Sequence, residues 1–513
     1  MLTLSIAIPL FGSFLVGFLP KGEGKKPSGL LFGYSLGISL LSLAVSLVVL
    51  ASFHPRFEGY QLMESWFSEA YNRVSWSLGI DGISLGLYLL TTILFPLGIY
   101  YSYVSLRLQA EDGHPPHREK LYYFSLLFLE ACIIGVFLAR DLVIFYIFWE
   151  LILIPMIFLI GIWGGKEKFY AAVKFFVYTF AGSVFLIAAI VAVVFYNLQT
   201  LADFTFGDSL EKAIRNLPTH IRPLLFWGFL LSFLIKIPAI PVHTWLPHAH
   251  TEAPTVGSVI LAAVLLKLGG YGILRFNLNY FDPGVFSQIL VWVGAVAIFY
   301  GAWQAWAQKD IKRLIAYSSV SHMGYVIAGM FSQTEAGLQG AYLQMINHGI
   351  STGLLFLLVG MIYDRTHTRE IEKYGGLAKL SPGYAVLFMV ATLSSVGLPG
   401  TNGFVGEFLA LLGIFQKSNL AALFAISGVV FGAVYMLQLY KNMFFGETSA
   451  FLKELSHKRS LKLTWHEIAI SIPFVAAIFI LGLRPDYVTT MAEKSLKPLV
   501  KHTTPQMQLF SGR

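Results

Sequence analysis

Residues 224–250 read LLFWGFLLSFLIKIPAIPVHTWLPHAH. The run up to Ile235 is almost wholly apolar, as a helix in hydrocarbon must be, yet it ends on Lys236 and then meets Pro238 and Pro241. Proline removes a backbone donor and clashes with the preceding turn, so the helix must break here. Unwound backbone is tolerated at membrane depth only where protein encloses it or it lines a wet cavity. The stretch therefore predicts a bundle of membrane helices, with Lys236 turned towards its interior.

The rest of the chain agrees. Of its 513 residues 56% are hydrophobic and only 12% charged, and the mean hydropathy is +0.67. Apolar runs recur at 2–19, 30–51, 82–103, 121–138, 142–164, 171–196, 224–242, 254–274, 285–306, 311–331, 336–363, 384–415, 420–440 and 467–483. At ~1.5 Å per residue such runs cross a hydrocarbon core of roughly 30 Å, which predicts an all-α polytopic membrane protein of about fourteen transmembrane helices. The first run lacks a basic start and a cleavage site of small residues, and reads as a retained helix rather than a removed signal.

A formal charge of +8 could suggest nucleic acid, but the basic residues are spread over alternate loops. Those after odd-numbered spans carry most of them: Lys21, Lys25, Lys26, Arg107, Arg118, Lys120, Lys166, Lys168, Lys309, Lys312, Arg313, Arg365, Arg369 and Lys373, with more after span 13. The other side's loops hold Arg56, Arg73, Arg140, Lys212, Arg215, Arg222, Arg275 and Lys417. By the positive-inside rule the first set faces the cytoplasm, which puts both termini outside, in the periplasm if the membrane is a bacterial inner membrane. The tail, with Arg484, Lys494, Lys497, Lys501 and Arg513, runs against that assignment.

The single cysteine, Cys132, supports neither an intrachain disulfide nor a four-thiolate iron–sulfur cluster. With no G-x-G-x-x-G between a strand and a helix and no Walker sequence, the chain is expected to bind no nucleotide, metal or redox cofactor.

A charge kept inside a span costs several kcal/mol, so each is a functional candidate by default. At comparable depth stand Glu130, Glu150, Lys236, Lys267, His322, His348 and Glu407. The bland readings differ among them. Glu130 can pair structurally with a neighbouring helix, and a histidine on an apolar helix is often only a satisfied polar group. Lys174 and Lys441, near helix ends, can snorkel to the interface. Glu150, Lys236 and Lys267 have apolar sequence neighbours and no local partner.

A second interrupted span reads Val396-Gly397-Leu398-Pro399-Gly400-Thr401-Asn402-Gly403, just before Glu407. This predicts two five-helix repeats, 121–275 and 285–441, each broken in its fourth helix, spans 7 and 12. An odd number of spans per unit inverts the second relative to the first, giving two half-channels that meet near the middle. Residues 1–120 and 467–513 are additions to the same single membrane domain.

An ammonium stripped of water is costly, and a carboxylate ~4 Å away at an effective dielectric of ~20 returns about 4 kcal/mol. Making or breaking a Glu150–Lys236 pair would thus decide whether the lysine keeps its proton. The series then predicts transfer from Lys236 to Lys267, through His322 and His348, to Glu407, with water in the gaps.

Asp81-Gly82-Ile83-Ser84, Phe148-Trp149-Glu150, the run Lys236 to His250, Glu252-Ala253-Pro254, residues 312–319 (KRLIAYSS) and Asn347-His348-Gly349 together resemble the antiporter-like membrane subunits of complex I and their Mrp-type cation/proton antiporter relatives. The resemblance spans nearly the whole chain. It implies proton translocation here, membrane subunits on each side in the lipid bilayer, and NADH, FMN, iron–sulfur clusters and quinone in partner subunits. It also strengthens the reading of His322 and His348 as proton carriers. An Mrp-type antiporter subunit, or a membrane subunit of an energy-converting hydrogenase or photosynthetic-type dehydrogenase, remains open. A purely structural scaffold would have no reason to keep Lys236, Lys267 and Glu407.

Overall fold

A computed structural model describes residues 1–20, 26–66, 74–197 and 204–500; Lys21, Lys25, Arg73, Lys501 and Arg513 lie outside them. The order is α1 (Leu2–Val16), α2 (Gly29–Ser52), β1 (Gln61–Trp66), β2 (Trp76–Ile80), α3 (Gly82–Glu111), α4 (Glu119–Leu138), α5 (Leu142–Leu151), α6 (Leu153–Trp163), α7 (Lys168–Tyr196), α8 (Asp208–Arg215) and α9 (Arg222–Lys236). Then follow α10 (Trp245–Glu252), α11 (Thr255–Ile260), α12 (Leu266–Gly272), α13 (Leu278–Tyr280), α14 (Phe286–Trp306), α15 (Ile311–Ser332) and α16 (Glu335–Thr366). The chain continues through α17 (Leu377–Leu380), α18 (Pro382–Ser395), α19 (Asn402–Lys417), α20 (Asn419–Phe444), α21 (Ala450–Lys458), α22 (Trp465–Leu483) and α23 (Asp486–Leu496).

Among the described residues 11 helical segments are long and apolar enough to cross a membrane. Three of the apolar runs give shorter helices: α1, α9 and α18. The all-α expectation needs one correction, because β1 and β2 pair antiparallel. Their residues lie in a polar connection between spans, where apolar periodicity gives no signal.

Burial grades from the middle outward. The apolar stretches of α16 and of Thr255–Tyr280 are 100% buried and that of α15 is 94% buried, whereas those of α2 and α22 are only 28% buried. Outer helices present large apolar side chains such as Phe11, Phe169, Leu420 and Leu423 to the outside, the surface expected against lipid or neighbouring subunits. The enclosed helices approach closely through glycine: a Cβ on Gly340 would fall 2.2 Å from the backbone nitrogen of Ala410, which seats α16 against α19.

The connections collect at two ends. At one, Arg140 donates to Ser77 O at 2.9 Å, Phe206 to Arg140 O at 2.6 Å, and Arg275 pairs with Asp81. At the other, Gly165 donates to Glu252 O at 2.9 Å, Ile371 to Lys309 O at 2.9 Å, and Arg459 binds Asp112 at 2.8 Å. Loops after even-numbered apolar runs form the first end and loops after odd-numbered runs the second, as alternate crossing requires.

Candidate functional site

Each break in a helix has a visible cause. α9 stops at Lys236, the next two prolines fall at 238 and 241, and helix resumes only at Trp245, whose indole N–H donates to Ile235 O at 3.0 Å. This side-chain donor satisfies a carbonyl left over at the end of α9. Likewise α18 stops at Ser395 and α19 starts at Asn402. Between them Gly397 has φ +74°, a left-handed conformation costly for other residues. Lys267 sits in α12 between two π-helical turns, Leu261–Leu265 and Ile273–Asn277. Such turns shift side chains relative to a regular helix and concentrate at functional positions.

From Lys267 a file of buried side chains runs across α16, α15 and α19. Its Nζ lies 2.6 Å from His348 Nδ1 on α16 and also donates to Ala262 O. Two positive charges at 2.6 Å would repel by roughly 6 kcal/mol at an effective dielectric of ~20, so the pair carries one excess proton at most. The rings of His348 and His322 are 5.3 Å apart, centre to centre. His322 Nε2 is 3.3 Å from Glu407 Oε1 and 3.1 Å from Ser395 O, the last residue of α18. Lys267, His348, His322 and Glu407 are thus drawn into one series.

A small cavity of about 10 Å³, lined by His322, Asn347, His348, Ser394 and Glu407 among others, has room for about one water. His348 Nε2 and His322 Nδ1 have no hydrogen-bond partner in the protein, and a water there would serve them.

Lys236 and Glu150 lie apart from this file. Lys236 is 3% exposed and its Nζ, without a hydrogen bond, stands 5.1 Å from the centre of the Trp149 ring. Glu150, in the last turn of α5, is partly buried near Tyr146 and Ser183 and within electrostatic reach of Lys236. No direct ion pair joins Glu150 to Lys236 here, and no hydrogen bond links Lys236 to Lys267. Glu130 is elsewhere again: fully buried on α4, it accepts from Ser39 of α2 at 3.0 Å. Lys174 approaches His248 Nδ1 at 3.3 Å rather than only reaching for the interface.

Sequence reasoning passed over the uncharged polar residues. Gln344 donates to Glu407 at 3.2 Å, Asn347 donates to Asn402 O at 2.6 Å, and Ser394 donates to Asn402 Oδ1 at 2.6 Å. The signal was present at Asn402, inside the Gly/Pro break. Asn347 stood in the Asn347-His348-Gly349 motif without a role of its own, and Gln344, one turn before His348, gave no signal. Among the described residues no group of three or more His, Cys, Asp or Glu could hold a metal ion.

A family model described as NADH:quinone oxidoreductase/Mrp antiporter, transmembrane, matches residues 139–433. NADH-quinone oxidoreductase subunit M of Rhodobacter capsulatus is 46% identical over 98% of this chain and 96% of its own length. A chain of respiratory complex I from Thermus thermophilus superposes with a TM-score of 0.83 at 31% identity, covering 98% of each. A chain of the Mrp complex from a Dietzia species shares the fold, with a TM-score of 0.79 at 21% identity over 96% of this chain and 52% of that one.

Proposed function

Because the chain belongs to the NADH:quinone oxidoreductase/Mrp antiporter transmembrane family, we propose that it is the M-type proton-translocating subunit of a respiratory NADH:quinone oxidoreductase. The observation that carries this reading is the contact series Lys267, His348, His322 and Glu407, four side chains that are all buried. Redox chemistry belongs to partner chains: NADH, FMN, iron–sulfur clusters and quinone are theirs, and this subunit is a translocase without a redox centre. Its membrane neighbours are further antiporter-like subunits, the setting is a bacterial inner membrane, and the termini are periplasmic.

The series works by exchange of one excess proton. Neutral imidazole accepts on one nitrogen and donates from the other, so His348 and His322 relay without leaving their places. Lys267 releases a proton to His348, and Glu407 receives it beyond His322. Lys236 is the loading group. Trp149 holds its ammonium through the ring face, and Glu150 closes on it or withdraws to set its proton affinity. Glu130, on its own serine-lined site, is a secondary proton-transfer group. Two inverted five-helix units, 121–275 and 285–441, supply the half-channels; their support is the matching interruptions after Lys236 and Ser395. Residues 1–120 and 467–513 flank these units in one membrane domain.

The test uses sealed vesicles containing the assembled complex. Replacing Lys236 or Lys267 by Ala is expected to abolish the subunit's share of proton pumping; pumping at the unaltered ratio to NADH oxidised would refute the assignment.

A further inference from the structure

At the end of the molecule where the loops after odd-numbered runs gather lies a polar cavity of about 460 Å³, bordered by α3, α10, α11, α15 and α16. Glu252, Asp364 and Lys312 line it, and all three are nearly closed off from outside. Lys312 forms its floor. The Lys312 ammonium donates to Ala253 O at 2.8 Å and stands 3.5 Å from Ser258 Oγ, which in turn donates to His250 O at 3.0 Å.

Behind that floor is His250 of α10. The imidazole is fully buried, stacked on Phe356 with ring centres 4.7 Å apart, and neither of its nitrogens has a hydrogen-bond partner. A buried imidazole with both nitrogens unserved is expensive unless water or a passing proton uses it. Lys312 and Lys267 are the charges within electrostatic reach of it.

We propose that this cavity is an aqueous vestibule, a second entry for protons that Lys267 needs in every cycle besides its loading by Lys236, and that Lys312 and His250 form the link from it to Lys267. This inference rests on the reading of Lys267 as a proton carrier. Glu252, Asp364, Lys312 and Arg369 give the cavity a wall of mixed charge that suits water. Lys312 gives an N–H proton inward to His250 and regains one from vestibule water. His250 takes it on one nitrogen and releases the proton on the other towards Lys267; Lys312 is then restored, and His250, left as its other tautomer, resets by a ring flip before the next transfer. The positive floor also keeps metal cations out of the path.

Arginine separates a relay from an anchor, since it can donate to Ala253 O but does not release its proton. In vesicles of the assembled complex, Lys312→Arg is expected to remove as much pumping per NADH oxidised as Lys267→Ala does. Lys312→Gln, which keeps a neutral donor, is expected to do the same, both normalised to the amount of chain in the membrane. Gln109→Cys, on the vestibule wall, should react with a membrane-impermeant thiol reagent from the side bearing the basic loops. Full pumping in either Lys312 variant, or a Gln109→Cys thiol inert from that side, would overturn the proposal. Undiminished pumping in Lys267→Ala would instead count against the reading on which it rests.

Discussion

At the scale of single residues, two kinds of buried charge need to be kept apart. Arg275 and Asp81 pair directly, with one contact at 2.6 Å, and Asp81 also caps α3 by accepting from Ser84 N at 2.9 Å. Arg365 likewise binds both oxygens of Glu467 at 2.7 Å, and Glu467 closes the capping box of α22 with Thr464. In both pairs the guanidinium engages both carboxylate oxygens, which holds elements together. Removing one partner strands the other, at a cost of about 3–5 kcal/mol. Arg365→Ala and Arg275→Ala should therefore lower the melting temperature of the solubilised protein and the amount of chain in the membrane. Lys236, His322 and His348 have nitrogens without fixed partners, the state a proton carrier needs. In the proposed series the carriers would act as a unit, so His322→Ala, Glu407→Ala and the double variant should each remove nearly the same pumping. Additive losses would show that the two act on separate routes.

At the scale of elements, the breaks do two things at once. They free backbone carbonyls at the ends of α9 and α18, and they place such groups beside the ionisable side chains, as Ser395 O beside His322 shows. Glycine makes the second break possible: a Cβ on Gly403 would fall 2.0 Å from Ser394 O. Gly403→Ala must push α18 and α19 apart, at about 1–3 kcal/mol for such overpacking, and disturb the Asn402 bonds to Asn347 and Ser394. Pumping should fall more than the level of assembled chain does, a comparison that immunoblotting and vesicle acidification would make. Gly400, with nothing within 4 Å of the added Cβ but φ +92°, should show only backbone strain on the same substitution and a milder loss.

At the scale of the whole molecule, contacts between distant segments tie the connections into rigid ends. Asp112, after α3, is held by Arg459 and His367 from far along the chain. Partial burial alone would raise its carboxyl, but the hydrogen bond and charge of Arg459, helped by His367, outweigh that and hold it below its ordinary value of 3.8. A carboxyl lowered in the folded state contributes stability in full above its unfolded value, and loses it as pH falls through the folded one. Asp112→Asn should therefore be less stable than the parent at neutral pH and converge with it as pH falls through the lowered carboxyl value, as thermal melts across pH would reveal.

The membrane class, the positions of the apolar runs and the ionisable candidates could be read from sequence, because a charge or a proline inside an apolar run is conspicuous by its cost. So could the stops at Lys236 and before Asn402. The sequence did not disclose the short strands, the π turns around Lys267 or the gap between Glu150 and Lys236. Nor did it reveal that His348 lies between Lys267 and His322, or that Lys312 lines a cavity and His250 is buried with both ring nitrogens unpartnered. Hydropathy reports how deep a residue lies along its own helix, whereas proton transfer depends on which helices face one another and at what rotation, and only packing decides that.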